Sequence, residues 1–128
     1  MLRVLLVDDH DLIRQGLRRA FERENDMSVI GEAASVSEAL AAASHFDPDV
    51  MVVDVRLPDG SGLDVVKQVR ASHPSMGIVV LTMYAGDDQL FGALEAGASA
   101  FVAKDAPADE VVMAARHAAA AQIGRAHV

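Results

Sequence analysis

Residues 50–62 read "VMVVDVRLPDGSG", and the change of character at residue 54 decides how the rest of the chain is read. "VMVVDV" (50–55) is the strongest strand signal in the sequence, a nearly continuous apolar run of the kind buried in a parallel sheet. In "LPDGSG" (57–62) Pro58 presets one backbone angle and Gly60 is free to take positive φ, which makes this segment a turn. Beyond it Leu63, Val66 and Val69 share one helix face. The unit is strand, turn, helix, with the carboxylate of Asp54 at the carboxyl end of the strand.

The same unit recurs on either side. "RVLLV" (3–7) precedes Ile13, Leu17, Ala20 and Phe21 at helical spacing, and "VIGEA" (29–33) precedes a helix opened by Ser35 with Glu38, a capping-box pattern. "GIVVLTM" (77–83) is followed by a helix over 87–96 carrying Leu90, Phe91 and Leu94. "SAFVA" (99–103) precedes a last helix, with Pro107 in its first turn and Asp109 and Glu110 at the positive end of its dipole. That helix is predicted to reach about Gln122 and stop at Gly124, so residues 1–122 form one domain and 123–128 a linker start or an appended tail. Five strands alternating with five helices predict a doubly wound α/β fold, because right-handed crossovers cover both faces of a parallel sheet. The expectation is a flavodoxin-like three-layer sandwich with strand order 2-1-3-4-5.

Composition removes several classes of function. At 128 residues the chain suits a single core. No cysteine is present, which excludes disulfides, thiol nucleophiles and thiolate metal sites and fits a cytoplasmic location. No apolar run approaches the roughly 18 residues of a membrane span. A net charge of −8 without any Lys/Arg cluster argues against direct nucleic-acid contact, which needs cations for phosphates.

Sheets of this type place functional groups beyond the carboxyl ends of their strands. Asp8 and Asp9 end strand one, Asp54 strand three, Thr82 strand four and Lys104 strand five. Three carboxylates gathered at one rim repel one another, and a hard divalent cation such as Mg²⁺ relieves that repulsion through oxygen ligands. A central carboxylate beside such an ion can act as a nucleophile toward a phosphoryl group. Lys104 supplies a point charge for a phosphoryl oxygen, and Thr82 a hydroxyl donor. The five histidines show no ligand spacing, which argues against zinc, and His10 reads as a loop residue that at most tunes the site.

"LLVDDH" (5–10), "VVDVRLPDGSG" (52–62), "VLTMY" (80–84) and "GASAFVAKD" (97–105) together resemble a response regulator receiver domain of two-component signalling, CheY-like, over nearly the whole chain. The Asp-Asp-His start, "VIGEAAS" and "GASAFVAKD" further resemble regulators that carry a LuxR-type helix-turn-helix output domain. The resemblance implies a phosphoacceptor, Asp54, served by a sensor histidine kinase. Mg²⁺ would be held by Asp9, Asp54 and the backbone carbonyl of Arg56, with Asp8 binding mainly through water. Thr82 and Lys104 would contact the phosphoryl group, and Phe101 would turn inward as the helix 4, strand 5, helix 5 surface switches. It also implies homodimerisation on phosphorylation, DNA reached only through a C-terminal domain outside this chain, and no catalysis beyond the protein's own phosphorylation and dephosphorylation.

Some residues depart from the family pattern. Asp105 stands where proline commonly follows the strand-five lysine, and Phe101 replaces the commoner tyrosine. The resemblance implies that Arg56 and Tyr84 occupy variable positions that tune dephosphorylation. For Phe101, core packing and switching both remain open. The alternatives are a Mg²⁺-dependent phosphohydrolase with an aspartate nucleophile, although Arg56 stands where that class carries a second Asp, a phosphorylation-independent dimerisation module, and, more remotely, a flavin binder.

Overall fold

The computed structural model describes residues 1–83 and 87–126; Tyr84 lies outside them. Five strands, β1 (Leu2–Val7), β2 (Met27–Ala33), β3 (Val50–Asp54), β4 (Gly77–Thr82) and β5 (Ala100–Ala103), form one sheet. Every neighbouring pair is parallel, and the order is 2-1-3-4-5, as expected. The connecting helices are α1 (Asp11–Glu22), α2 (Val36–Phe46), α3 (Gly62–Ser72), α4 (Asp87–Ala96) and α5 (Ala108–Ala126). One feature is additional: Arg56–Leu57 and Gly60–Ser61 pair as a two-residue antiparallel hairpin within the segment read as a turn.

The central strands are apolar on both faces, and their alternate residues go to different layers. Val4 and Leu6, Val50 and Val52, and Val79 and Leu81 pack with Leu17, Ala20 and Phe21 of α1 and Val111, Val112 and Ala115 of α5. Leu5 and Val7, Met51 and Val53, and Ile78 and Val80 pack on the other face with residues of α2, α3 and α4. A buried side chain of this kind contributes about 1.5–3 kcal/mol. A dozen of them stabilise the sheet enough to tolerate a few buried charges at its rim, each of which costs several kcal/mol unless compensated.

Two helices add to the reading of their sequence: α4 in which residues it buries, and α5 in where it ends. In α4 the buried positions are Ala93 and Ala96, while Phe91 and Leu94 are 62% and 54% exposed. The three larger residues, Leu90, Phe91 and Leu94, point outward, because small side chains let the helix lie close to the sheet. Helix α5 continues through Gly124 to Ala126, since one glycine costs only about 1 kcal/mol against alanine and does not by itself end a helix. Among the described residues no helix is long and apolar enough to cross a membrane.

Candidate functional site

The carboxyl ends of β1, β3, β4 and β5 bring together the polar residues picked out from the sequence. Register explains how. Asp54 is the last residue of β3 and pairs with Leu81 of β4, and Thr82 pairs with Ala103, directly before Lys104. The Lys104 amide donates to the Thr82 carbonyl at 2.7 Å, and the Val55 amide to the Leu81 carbonyl at 3.0 Å. Asp8, Asp54 and Thr82 are each at most 3% exposed, the three polar residues buried among the described core.

Lys104 is the electrostatic centre of the pocket. Its Nζ donates to Asp54 Oδ2 at 2.5 Å and lies 3.2 Å from Asp8, and its side chain is 2% exposed. Asp9, on the same rim, is partly exposed. Lys104 pairs with the carboxylates of Asp54 and Asp8, and Asp9 adds a third carboxylate to the same rim. Burial raises the Asp54 carboxyl above its ordinary value of 3.8; the Lys104 hydrogen bond opposes that rise and the Asp8 charge adds to it.

The loop after β1 is held by its own polar atoms. The His10 amide donates to Asp8 Oδ1 at 2.8 Å, and Arg14 Nη1 donates to the Asp8 carbonyl at 2.5 Å. His10 Nδ1 lies 3.0 Å from Asp8 Oδ1, 3.2 Å from Asp9 Oδ1 and 3.9 Å from Asp54 Oδ2. The sequence reading left His10 as a loop residue that at most tunes the site; the fold brings its Nδ1 against the carboxylates while the side chain stays 58% exposed. Spacing along the chain carries no sign of this, because the partners come from two strands.

On the far side, the Arg56 amide donates to Asp54 Oδ1 at 3.3 Å, so the backbone curls over the acceptor residue. The Arg56 side chain itself is exposed. A Cβ at Gly62 would come within 2.0 Å of the Asp54 carbonyl oxygen, so this close approach of loop to strand requires glycine. Asp59 accepts from the Val36 and Ser37 amides at 2.7 and 3.1 Å, tying the same loop to the first turn of α2. Those amides hold the Asp59 carboxyl below its ordinary value. Neither Gly62 nor Asp59 was singled out from sequence for these roles. Phe101 is half-buried, opposite Val80 and packed with it on the face covered by α2, α3 and α4.

The donor set fits a divalent cation. Atoms of Asp8, Asp9, His10 and Asp54 lie within 4.8 Å of one another. Asp8 Oδ2 is buried and accepts no hydrogen bond, although it sits 3.2 Å from the Lys104 ammonium. A buried carboxylate oxygen in that condition has lost its water without full replacement, and a bound ion would supply what is missing.

Residues 4–116 match the family model of the response regulator receiver domain. The chain is 40% identical over 116 residues to the DNA-binding transcriptional activator DevR/DosR of Mycobacterium tuberculosis, covering 91% of this chain and 54% of that protein. It is 37% identical over 118 residues to the transcriptional regulatory protein LiaR of Bacillus subtilis, covering 92% and 56%. It thus spans about half the length of these relatives. Among solved structures, it is similar to a LuxR-family two-component response regulator from Aurantimonas sp. SI85-9A1, with TM-score 0.89 and 35% identity over 94% of this chain and 86% of that one. The signal receiver domain of the putative response regulator NarL from M. tuberculosis gives TM-score 0.87 and 31% identity over 92% and 95%.

Proposed function

Because the chain belongs to the response regulator receiver domain family, we propose that its Asp54 accepts the phosphoryl group and that the rim around it is built for that transfer. The observation that carries this reading is the buried Asp54 carboxylate held by Lys104 at 2.5 Å beside Asp8. An Asp54 oxygen attacks phosphorus on a phosphohistidine of a sensor kinase, the N–P bond breaks, and the imidazole leaves and takes up a proton. Lys104 then has a phosphoryl oxygen to pair with in addition to the carboxylates, and the Thr82 hydroxyl donates to another. Phe101 is assigned the accompanying inward turn against Val80.

Mg²⁺ is the ion assigned to the site, held by Asp9, Asp54 and the Arg56 carbonyl with Asp8 through water. It supplies neutralisation of the charge brought by the incoming phosphoryl group. The exposed Arg56 side chain, and Tyr84, are assigned to shielding the acyl phosphate from water. The switched surface is that of α4, β5 and α5, and the output it controls is DNA binding by a domain outside this chain, with dimerisation on phosphorylation and a cytoplasmic setting.

The test is incubation with Mg²⁺ and acetyl phosphate, followed by intact-mass measurement. One labile phosphoryl group is expected on the protein and none on Asp54→Asn. Uptake by the variant at the unaltered rate would overturn the assignment, and turnover of many phosphoesters by the unaltered protein would favour a hydrolase.

A further inference from the structure

The Lys104 ammonium lies in a cage of two carboxylates and one imidazole. Nζ is 2.5 Å from Asp54 Oδ2, 3.2 Å from Asp8 and 2.8 Å from His10 Nδ1. An ammonium has donors only, so Nδ1 accepts from it in the tautomer protonated at Nε2. The same nitrogen is within 3.2 Å of carboxylate oxygens of both Asp8 and Asp9. Two constraints hold the ring's residue there: the His10 amide on Asp8 Oδ1 at 2.8 Å and the Arg14 guanidinium on the Asp8 carbonyl at 2.5 Å. Asp8 Oδ2, buried and without a hydrogen-bond partner, lies 3.2 Å from the same ammonium.

From this arrangement we infer that His10 Nδ1 is a ligand of the divalent ion in this pocket, shifting its preference from Mg²⁺ toward first-row transition dications such as Co²⁺, Ni²⁺ and Fe²⁺. The inference rests on the reading of the rim as a metal site and extends it to an additional ligand and to ion choice. The chemistry is that of donor softness. Mg²⁺ takes oxygen donors and keeps its waters, whereas an imidazole nitrogen favours the later first-row ions. A carboxylate-only rim binds both kinds of ion; adding Nδ1 strengthens only the second. His10 precedes α1 as its N-cap, and its side chain caps no helix amide. Replacing the ring removes its contacts with Asp8 and Lys104 and leaves the backbone hydrogen bonds of α1 in place.

The experiment titrates the protein with Co²⁺, followed by visible absorption, and with Mg²⁺, followed by calorimetry, for the unaltered chain and His10→Ala. The variant should bind Co²⁺ at least about tenfold more weakly, since losing even an outer-shell partner of a metal costs about that much, with its Mg²⁺ affinity unchanged. Proton NMR of the Co²⁺-loaded protein should show a strongly shifted, exchangeable imidazole N–H resonance that disappears in His10→Ala. Equal effects on both ions, or no effect on either together with no shifted resonance, would overturn the His10 assignment and leave the metal site standing. Failure of the unaltered protein to bind either ion would overturn both.

Discussion

At the residue scale, the environment of Asp54 disfavours its charge. Its carboxyl is raised by burial more than Lys104 lowers it, so the ionised form costs the folded state free energy. The native protein then holds a proton on Asp54 at pH values where the unfolded chain has released it, and stability falls as pH rises from 3.8 through the raised folded value. Without divalent ions, Asp54→Asn is therefore expected to raise the midpoint of thermal unfolding at pH 7 by a few degrees. The gap should close as the pH is lowered toward 3.8, which a melting series over pH will check. Lys104 gives a second prediction. Its ammonium and a dication need the same oxygens of Asp54 and Asp8, so Lys104→Met should tighten Co²⁺ or Mg²⁺ binding severalfold and make the ion-free protein less stable. Calorimetry and melting curves read both effects.

At the scale of elements, the first turn of α2 shows how a local motif is completed from afar. Ser35 accepts from the Glu38 amide at 3.1 Å, as the capping-box pattern predicts, but the Glu38 carboxylate reaches the Ala34 amide at 3.2 Å rather than that of Ser35. The remaining free amides of that turn, Val36 and Ser37, are taken by Asp59, twenty-two or more residues away. This bond joins α2 to the loop that carries Arg56 over Asp54. Asp59→Ala should speed amide exchange at Val36 and Ser37 and weaken metal binding, with the exchange at the β3 core unchanged; equal exchange rates would show the tie to be unimportant. Because the Asp59 carboxyl is held below its ordinary value of 3.8, the stability it adds is present above that pH and is lost as pH falls through the lower folded value. In α4, helical periodicity marks the element, yet Ala93 and Ala96 take the buried positions while Leu90, Phe91 and Leu94 face outward. Apolarity alone does not tell which of two apolar faces meets the sheet.

At the scale of the whole molecule, the sheet connects the rim to the surface. Thr82 ends β4, Phe101 lies opposite Val80 on β5, and both strands lead to the helices flanking that edge. Small changes at the rim can shift the balance between two packings without a new fold. Phosphodonor and Mg²⁺ should slow amide exchange around Asp54, alter it along β4, α4 and β5, and raise the dimer fraction in sedimentation. A dimer fraction indifferent to phosphate and metal would favour a constitutive dimerisation module.

The linear order of residues was enough for the five strand–helix units, the parallel sheet and its strand order, and the meeting of Asp8, Asp9, Asp54, Thr82 and Lys104 at one rim. Each of these follows from local apolar runs and from the rule that parallel strands deliver their carboxyl ends to the same edge. The contacts of His10 Nδ1, the orphaned oxygen of Asp8, the long-range cap by Asp59 and the glycine needed at 62 were decided only in three dimensions. They depend on distances between atoms far apart in the chain, set by how the loops settle on one another, and periodicity carries no record of such distances.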